Sequence, residues 1–437
     1  MPTLQVITLG CSKNTVDTEH LLFQVQDSYE IVPEGEVCPV DVLLINTCGF
    51  IGDAKQQSID TILAAAARKA AGEVGRLLVF GCLSQRYPDE LPGLIPEVDG
   101  WFGARDLDPL IRALGCKPNP ALRHGRLPEG EYRPYAYLKI SEGCDRRCSY
   151  CAIPFIRGKH ISVPMETLVA EARELAARGV KELIIIAQDT TYYGLDLYGK
   201  RCLAQLLEKL SEVEGIEWMR IHYSYPADFP EDVLDQMARN PKVCRYMDIP
   251  LQHVSDEVLD KMHRHVDGAW TRELIRRMRE KVPGVVLRTT FIVGHPGETS
   301  AHFKELVEFV KEARFQRMGA FTYSEEEGTF GAQHFEDSIS PATKKKRLKE
   351  LMEVQRGISF AYNQSRIGTQ VRVLVDAFSD GILVCRSEYE SPEVDGEILV
   401  NYSAGKLDGI EPHSLVGEFL TVRITAADEY DLTAEVV

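Results

Sequence analysis

Residues 135–151 read YAYLKISEGCDRRCSYC, a short strand-like run that empties within a few residues into a loop carrying Cys144, Cys148 and Cys151. Reactive groups in α/β folds gather on the loops that follow the C-terminal ends of parallel strands, so this stretch places a site at a strand end. The pattern repeats outward from it. Six strand-like runs, AYLKI, ELIIIA, MRIHY, YMDIP, VVLRTTFIV and MGAFTY, alternate with helical patterns such as METLVAEARELAARG and TRELIRRMREK. Six such units predict a partial, open (β/α)6 barrel within a module spanning 130–365. The strand-end residues Cys144, Gln188, Ser224, Gln252 and Gly294 are expected to face one cavity.

Upstream, over 1–120, the runs LQVITLG, DVLLINT and RLLVFG alternate with helical patterns, which predicts a parallel α/β domain. Each run ends at a cysteine, Cys11, Cys48 and Cys82. Successive parallel strands end on one sheet edge, so the three thiols should converge there. Small buried residues are the bland alternative, since free cysteine is common in cores. Downstream, a lysine-rich helical pattern starting at KKKR leads into 368–437, where short runs separated by turn signals predict a small antiparallel β-barrel. KKKR reads as a solvated helix face rather than a phosphate contact.

The 437 residues are 44 % hydrophobic and 27 % charged, ordinary values for a globular chain. No leader or membrane-span pattern stands out, so a cytoplasmic location is expected. In that reducing compartment eleven cysteines suit metal ligation better than disulfides. A net charge of −16 argues against indiscriminate attraction to nucleic-acid phosphate and suits a basic partner.

The triad Cys144, Cys148 and Cys151 suits a cubane iron-sulfur cluster with one iron left free for a small chelating molecule. Structural zinc would need a fourth ligand at customary spacing, and the nearest histidine downstream, His160, is nine residues on. Gln188, Asp189, Ser224, Gln252, Arg288 and Thr290 either hydrogen-bond a cofactor or satisfy loop backbone. GHPGE at 294–298 lacks the Lys-Ser/Thr of a phosphate-binding loop and reads as a turn lining the cofactor pocket. Cys38, Cys116, Cys202, Cys244 and Cys385 share no spacing logic and read as packing or surface residues. His263 and His265 read as solvated positions in a charged helical stretch.

The C-x3-C-x2-C spacing, with Tyr150 before the last cysteine, resembles the radical S-adenosylmethionine (SAM) superfamily. The whole chain, with its upstream triad and terminal barrel, resembles the methylthiotransferase family, whose last module is called TRAM. Ile153-Pro154, Arg157-Gly158, Gln188-Asp189, Gln252-His253 and TTFIVGHPGET at 289–299 carry the likeness further. The resemblance implies two 4Fe-4S clusters, one on Cys144, Cys148 and Cys151 and an auxiliary one on Cys11, Cys48 and Cys82. It also implies SAM bound at the first cluster, a deoxyadenosyl radical, and a reductant protein such as flavodoxin or ferredoxin. A noncatalytic electron carrier is the competing class, but carriers usually ligate each cluster with four cysteines.

One family branch modifies an adenosine in transfer RNA. The other modifies an aspartate in the twelfth protein of the small ribosomal subunit. From Val371 to Val437 four basic residues, Arg372, Arg386, Lys406 and Arg423, stand against fourteen acidic ones, a balance of −10. That surface favours a basic ribosomal protein over RNA, and the module is expected to act as a substrate clamp through Glu388, Glu390, Glu393 and Glu397. Lys159 after the Arg-Gly pair points the same way. Val163 departs from the family, which usually has arginine there.

Overall fold

The computed structural model describes residues 1–437 except 129, 131, 403–406 and 408, so Lys406 and Asp408 of the charge count lie outside the described residues. The first sheet is parallel throughout. Its central strands Thr3–Thr8, Val40–Thr47 and Val74–Gly81 are the three read from the sequence, and short edge strands Glu30–Val32 and Gly100–Trp101 extend it. Strand alternation splits its apolar residues between two faces. Leu43, Ile45, Leu77 and Val79 pack with Ile62 and Ala65 of the helix Gly52–Ala70. Leu4, Val6, Leu44, Leu78 and Phe80 pack with Leu21 and Leu22 of the helix Ser12–Val25. Covering both faces makes these strands nearly continuous apolar runs.

The second sheet holds six parallel strands in sequence order, Tyr135–Lys139, Glu182–Ile186, Trp218–Ile221, Val243–Asp248, Val286–Val293 and Arg317–Thr322. It is open, as a partial barrel should be. Leu183, Ile185, Met219, Met247, Leu287 and Phe291 face outward into the largest apolar core, against the helices. The inward face meets the flanking modules instead. Tyr137, Ile184 and Ile186 pack on Val16 of the first module, while Trp218, Tyr246 and Val286 pack on Leu374 and Phe419 of the last.

The last module is a closed five-stranded barrel. Four of its pairings are antiparallel, as the turn-rich sequence implies, but Ile398–Asn401 pairs parallel with Leu432–Val436. Closure requires that departure, because the connection between those strands runs through Phe419–Ala427. Among the described residues no helix is long and apolar enough to cross a membrane.

Two sequence expectations need correction here. The KKKR segment is a solvated face only at Lys345 and Lys346, which are exposed, whereas Lys344 and Arg347 are buried on the helix Pro341–Ser365. Lys344 donates to Asp337 and Arg347 Nη1 reaches Glu298 Oε1 at 2.7 Å. His263 and His265 lie beyond the helix Asp256–Lys261, in turns with φ of 54° and 57°.

Candidate active site at two cysteine triads

Cys11 is the N-cap of the helix Ser12–Val25, Cys48 follows the strand Val40–Thr47, and Cys82 opens the helix Cys82–Arg86. All eleven cysteines are free thiols. Close backbone approach sets the spacing of the first triad. A Cβ on Gly10 (φ +100°) would fall 3.0 Å from Cys48 Cβ, and one on Gly49 2.8 Å from the Cys82 carbonyl carbon. Burial pushes the Cys48 thiol up to about 11, and Cys82 and Cys11 add to the rise.

The second triad sits in a loop closed at its neck by Ser141–Glu142 pairing with Ile161–Ser162. Gly143 (φ +78°) is obligatory at that neck, because a Cβ there would lie 2.0 Å from the Lys159 carbonyl oxygen. The Cys144 amide donates to the Gly158 carbonyl at 3.0 Å. Burial pushes the Cys144 thiol up to about 12 and raises Cys151 as well. Arg264 Nη1 approaches Cys148 Sγ at 3.4 Å while its Nη2 donates to the Pro250 carbonyl at 2.6 Å. Tyr225 lies 3.8 Å from the same sulfur and donates to the Arg264 carbonyl.

One arginine joins the two triads. Arg157 Nε lies 3.2 Å from Cys82 Sγ, Nη2 donates to Asn14 Oδ1 at 2.7 Å, and Nη1 reaches Asp17 at 2.7 Å and Glu142 at 3.1 Å. Lys139 pairs with the same two carboxylates. Burial alone would raise Glu142, but Lys139 and Arg157 outweigh it and hold that carboxyl at about 2. Cys82 also shares a small apolar cluster with Ala104, Ala152 and Ile156, so the first triad abuts the residue after Cys151.

Of the other candidates, Gln188 donates to Glu142 Oε1 at 2.8 Å, and its own oxygen is buried without a partner among the described residues. The Ser224 hydroxyl and the Gln252 side-chain oxygen are likewise buried and unpartnered. Gln252 adopts φ 73° and its amide donates to the Thr290 carbonyl, which anchors that strand end. Thr290 and Arg288 fall on the half-buried inward face of Val286–Val293. Asp189 is committed elsewhere: one oxygen accepts from Thr191 and the other pairs with Arg146 at 2.9 Å. Arg288 binds Asp248 at 2.9 Å. Gly294 departs from the shared-cavity expectation, since a Cβ there would meet Lys344 Cγ at 2.4 Å. The 294–298 turn packs on the long helix, with Glu298 capturing Arg347. Val163, half-buried, packs against the central core.

These residues fit iron-sulfur ligation and a polar cofactor. A single zinc ion at about 2.3 Å from each sulfur needs thiolates roughly 3.8 Å apart. Among the described residues the ligand atoms that close within 4.8 Å of one another belong to His20, His124 and Glu171, not to either cysteine triad. Wider sulfur spacing suits a cluster with several irons. The unpartnered oxygens of Gln188, Ser224 and Gln252 at the strand ends are what a ligand rich in hydroxyl, amine and carboxylate groups would satisfy. Sequence reasoning quoted Arg157 without a role and missed Arg264 and Glu142. Charge flanking the cysteine-bearing loop was the available signal for Glu142 and Arg157, and Arg264 arrives from a separate turn that carries no cysteine.

Comparison with known proteins agrees with this architecture. The Radical SAM superfamily matches residues 138–310, the TRAM domain 367–437, and the Uncharacterized protein family UPF0004 3–103. Ribosomal protein uS12 methylthiotransferase RimO of Bacteroides thetaiotaomicron is 49 % identical over 435 residues, covering 99 % of this chain and 98 % of the relative. The same enzyme of Phocaeicola vulgatus is 49 % identical over 436 residues, 100 % of this chain and 99 % of the relative. The radical SAM methyltransferase TsrM from Kitasatospora setae, solved with cobalamin and a 4Fe-4S cluster, shares the fold at TM-score 0.54 and 13 % identity, over 88 % of this chain and 77 % of that one. Full-length identity at that level, on a strand-end triad held in an open parallel barrel, places the chain in the radical SAM methylthiotransferase family, among the RimO proteins.

Proposed function

We propose that this chain attaches a methylthio group to the β-carbon of an aspartate in ribosomal protein uS12, with its work divided among modules at 1–120, 130–365 and 368–437. Cys144, Cys148 and Cys151 hold the cluster that binds SAM, and Cys11, Cys48 and Cys82 hold an auxiliary cluster that handles sulfur. When bound, these groups supply a carbon-centred radical able to take hydrogen from an unactivated C–H bond, and the sulfur to be delivered. Gln188, Ser224 and Gln252 orient the cofactor through their unpartnered oxygens. Arg157 fixes the first triad against the second, and Arg264 places positive charge beside Cys148. A reductant protein such as flavodoxin or ferredoxin provides the electron, and the reaction belongs to the cytoplasm.

The observation that supports this reading is the Arg157 contact, which links Cys82 of one triad to Glu142, two residues before Cys144 of the other. A noncatalytic electron carrier has no use for the unpartnered oxygens at the barrel strand ends. A basic polypeptide substrate is favoured by a cavity of about 610 Å³ lined by Asp228, Asp256, Asp260, Asp267 and Trp270. That cavity adjoins the triad loop through His263, which contacts the Arg147 carbonyl.

Intact-mass analysis of ribosomal proteins from a deletion strain tests the substrate. The methylthio increment on uS12 should vanish and return on complementation. An unchanged uS12 with a lost transfer-RNA modification would move the chain to the other branch. Alanine at Cys144, Cys148 and Cys151 should remove about four irons and abolish deoxyadenosine formation. Alanine at Cys11, Cys48 and Cys82 should remove product and leave some deoxyadenosine. Cofactor cleavage by the first variant, or product from the second, would overturn the assignment of roles.

A further inference from the structure

Away from the cysteines, three segments distant in sequence bring two imidazoles and a carboxylate together. His20 lies on the helix Ser12–Val25 of the first module, His124 in the connector after it, and Glu171 on the barrel helix Met165–Ala177. One ligand atom from each lies within 4.8 Å of the other two. His20 and Glu171 are 8 % and 3 % exposed. Among the described residues, His20 Nε2, His124 Nδ1 and Glu171 Oε2 are all buried without a hydrogen-bond partner, though they face one another.

Direct contact does not account for this arrangement. His20 Nε2 is 3.5 Å from Glu171 Oε1, and His124 Nδ1 is 3.8 Å from Glu171 Oε2. Charge-assisted hydrogen bonds close to about 2.7–2.9 Å. Ligands of a tetrahedral ion bound at about 2.0–2.2 Å stand roughly 3.3–3.6 Å apart, a spacing that three ligand atoms already within 4.8 Å of one another reach by a small inward shift. Arg126 Nη1 holds Glu171 Oε1 at 2.8 Å, on the His20 side, and leaves Oε2 directed toward His124, as a supporting group orients a ligating carboxylate. Arg126 also pairs with Glu19, so two carboxylates share one guanidinium and one negative charge is left over.

We propose that His20, His124 and Glu171 form a binding site for a divalent transition-metal ion of the zinc class, which ties the first module and its connector to the barrel. Two nitrogens and one oxygen select such an ion over calcium or magnesium, which take oxygen ligands. Three protein ligands leave a fourth position for water. The ion takes no part in the cluster chemistry. Its consequence is geometric: the helix capped by Cys11 also carries His20, so the ion fixes that helix against the barrel that holds the other triad.

The test uses the full-length holoenzyme, prepared anaerobically with its iron in place, given equimolar Zn²⁺ and desalted. Zinc and iron are counted per chain, and the zinc absorption edge reports the ligands. About one zinc per chain should remain, with nitrogen and oxygen at about 2.0–2.1 Å and no sulfur. His124→Asn, at a half-exposed position, should lower retained zinc at least about tenfold with iron unchanged, and Zn²⁺ should raise the melting temperature of the wild type but not of the variant. Failure of the wild type to retain zinc, a sulfur shell at about 2.3 Å, or equal zinc in the variant would each overturn the proposal. The wild-type spectrum decides the question even if the variant folds poorly.

Discussion

Arg157 is buried, and four hydrogen bonds tie its guanidinium to Cys82, Asn14, Asp17 and Glu142. Removing one partner of such a group leaves buried charges uncompensated, which costs about 3–5 kcal/mol. Arg157→Leu should therefore lower stability by that amount in denaturant titration, because Asp17 and Glu142 are left to share the single charge of Lys139. Arg157→Lys is the sharper variant. It keeps the positive charge but loses the fork that reaches Cys82 and Asn14 together. A hydrogen bond to a charged group is worth about 1.5–3 kcal/mol, or roughly ten- to a hundredfold in rate. Methylthio product should fall by that factor while deoxyadenosine formation holds, and an equal loss of both would mean that Arg157 serves the barrel triad instead. The cysteines were legible because thiols at strand ends have few other reasons to recur. Arg157 and Arg264 were not, because an arginine in a loop reads the same whether it faces water or sulfur until the tertiary fold assigns it a partner.

Strands were the most legible elements, since Leu183 to Ala187 and Leu43 to Ile45 are short apolar runs of strand length set between helical patterns. The edge strands Glu30–Val32 and Gly100–Trp101 were not, being too short to carry a period. Neither was the burial of Lys344 and Arg347, which depends on Asp337 and Glu298 arriving from elsewhere. The strand-end element at His222 makes a testable case. Its Nε2 meets Ser391 Oγ of the last module at 2.8 Å. Burial lowers its pKa from 6.5 to about 3, with Arg288, Arg220 and Lys13 adding to the fall and Asp248 opposing it. Below pH 6.5 the unfolded chain takes up a proton here that the folded chain refuses, so stability rises with pH across the window and drops on acidification. One pH unit below 6.5 corresponds to about 1.4 kcal/mol. Between pH 7.5 and 5.5 the wild type should lose about that much more stability than His222→Asn, measured by denaturant midpoint with iron content as control. Parallel pH profiles for the two proteins would rule the coupling out.

At the scale of the whole molecule, the three modules are joined by buried charge. Arg386 pairs with Glu182 and Asp376, Arg220 with Glu182, and Glu390 with Arg317 and Arg366. Tyr246 donates to Asp395 at 2.6 Å, and Tyr137 to Glu393 at 2.8 Å. Much of the acidic excess of the last module is thus spent on docking to the barrel, and the expected clamp of Glu388, Glu390, Glu393 and Glu397 is corrected accordingly. Glu390 is buried, Glu393 takes Tyr135, Tyr137 and Arg133, and Glu388 accepts the Arg245 amide. Neutralising those three would loosen the module and mimic a binding defect. Net charge was legible in the sequence, but the partition between interface and solvent was not, because the groups that consume it come from far along the chain (Arg133 and Glu393 are 260 residues apart). The carboxylates still facing water include Asp380, Glu397, Glu418 and Glu435. Opposite charges on exposed surfaces mainly speed encounter and fix register, and salt screens them over about 8 Å at physiological strength. Asp380→Asn, Glu397→Gln, Glu418→Gln and Glu435→Gln combined should slow association with isolated uS12 several-fold at low salt, with the difference shrinking as ionic strength rises. Asparagine suits position 380, whose φ is 52°. Melting temperature, iron content and cofactor cleavage should stay constant, since exposed pairs such as Arg423–Glu435 contribute little to stability. An association rate indifferent to both the substitutions and salt would take the substrate off this module and leave the acidic cavity around Asp256 and Trp270, beside the Cys148 loop, as its docking place.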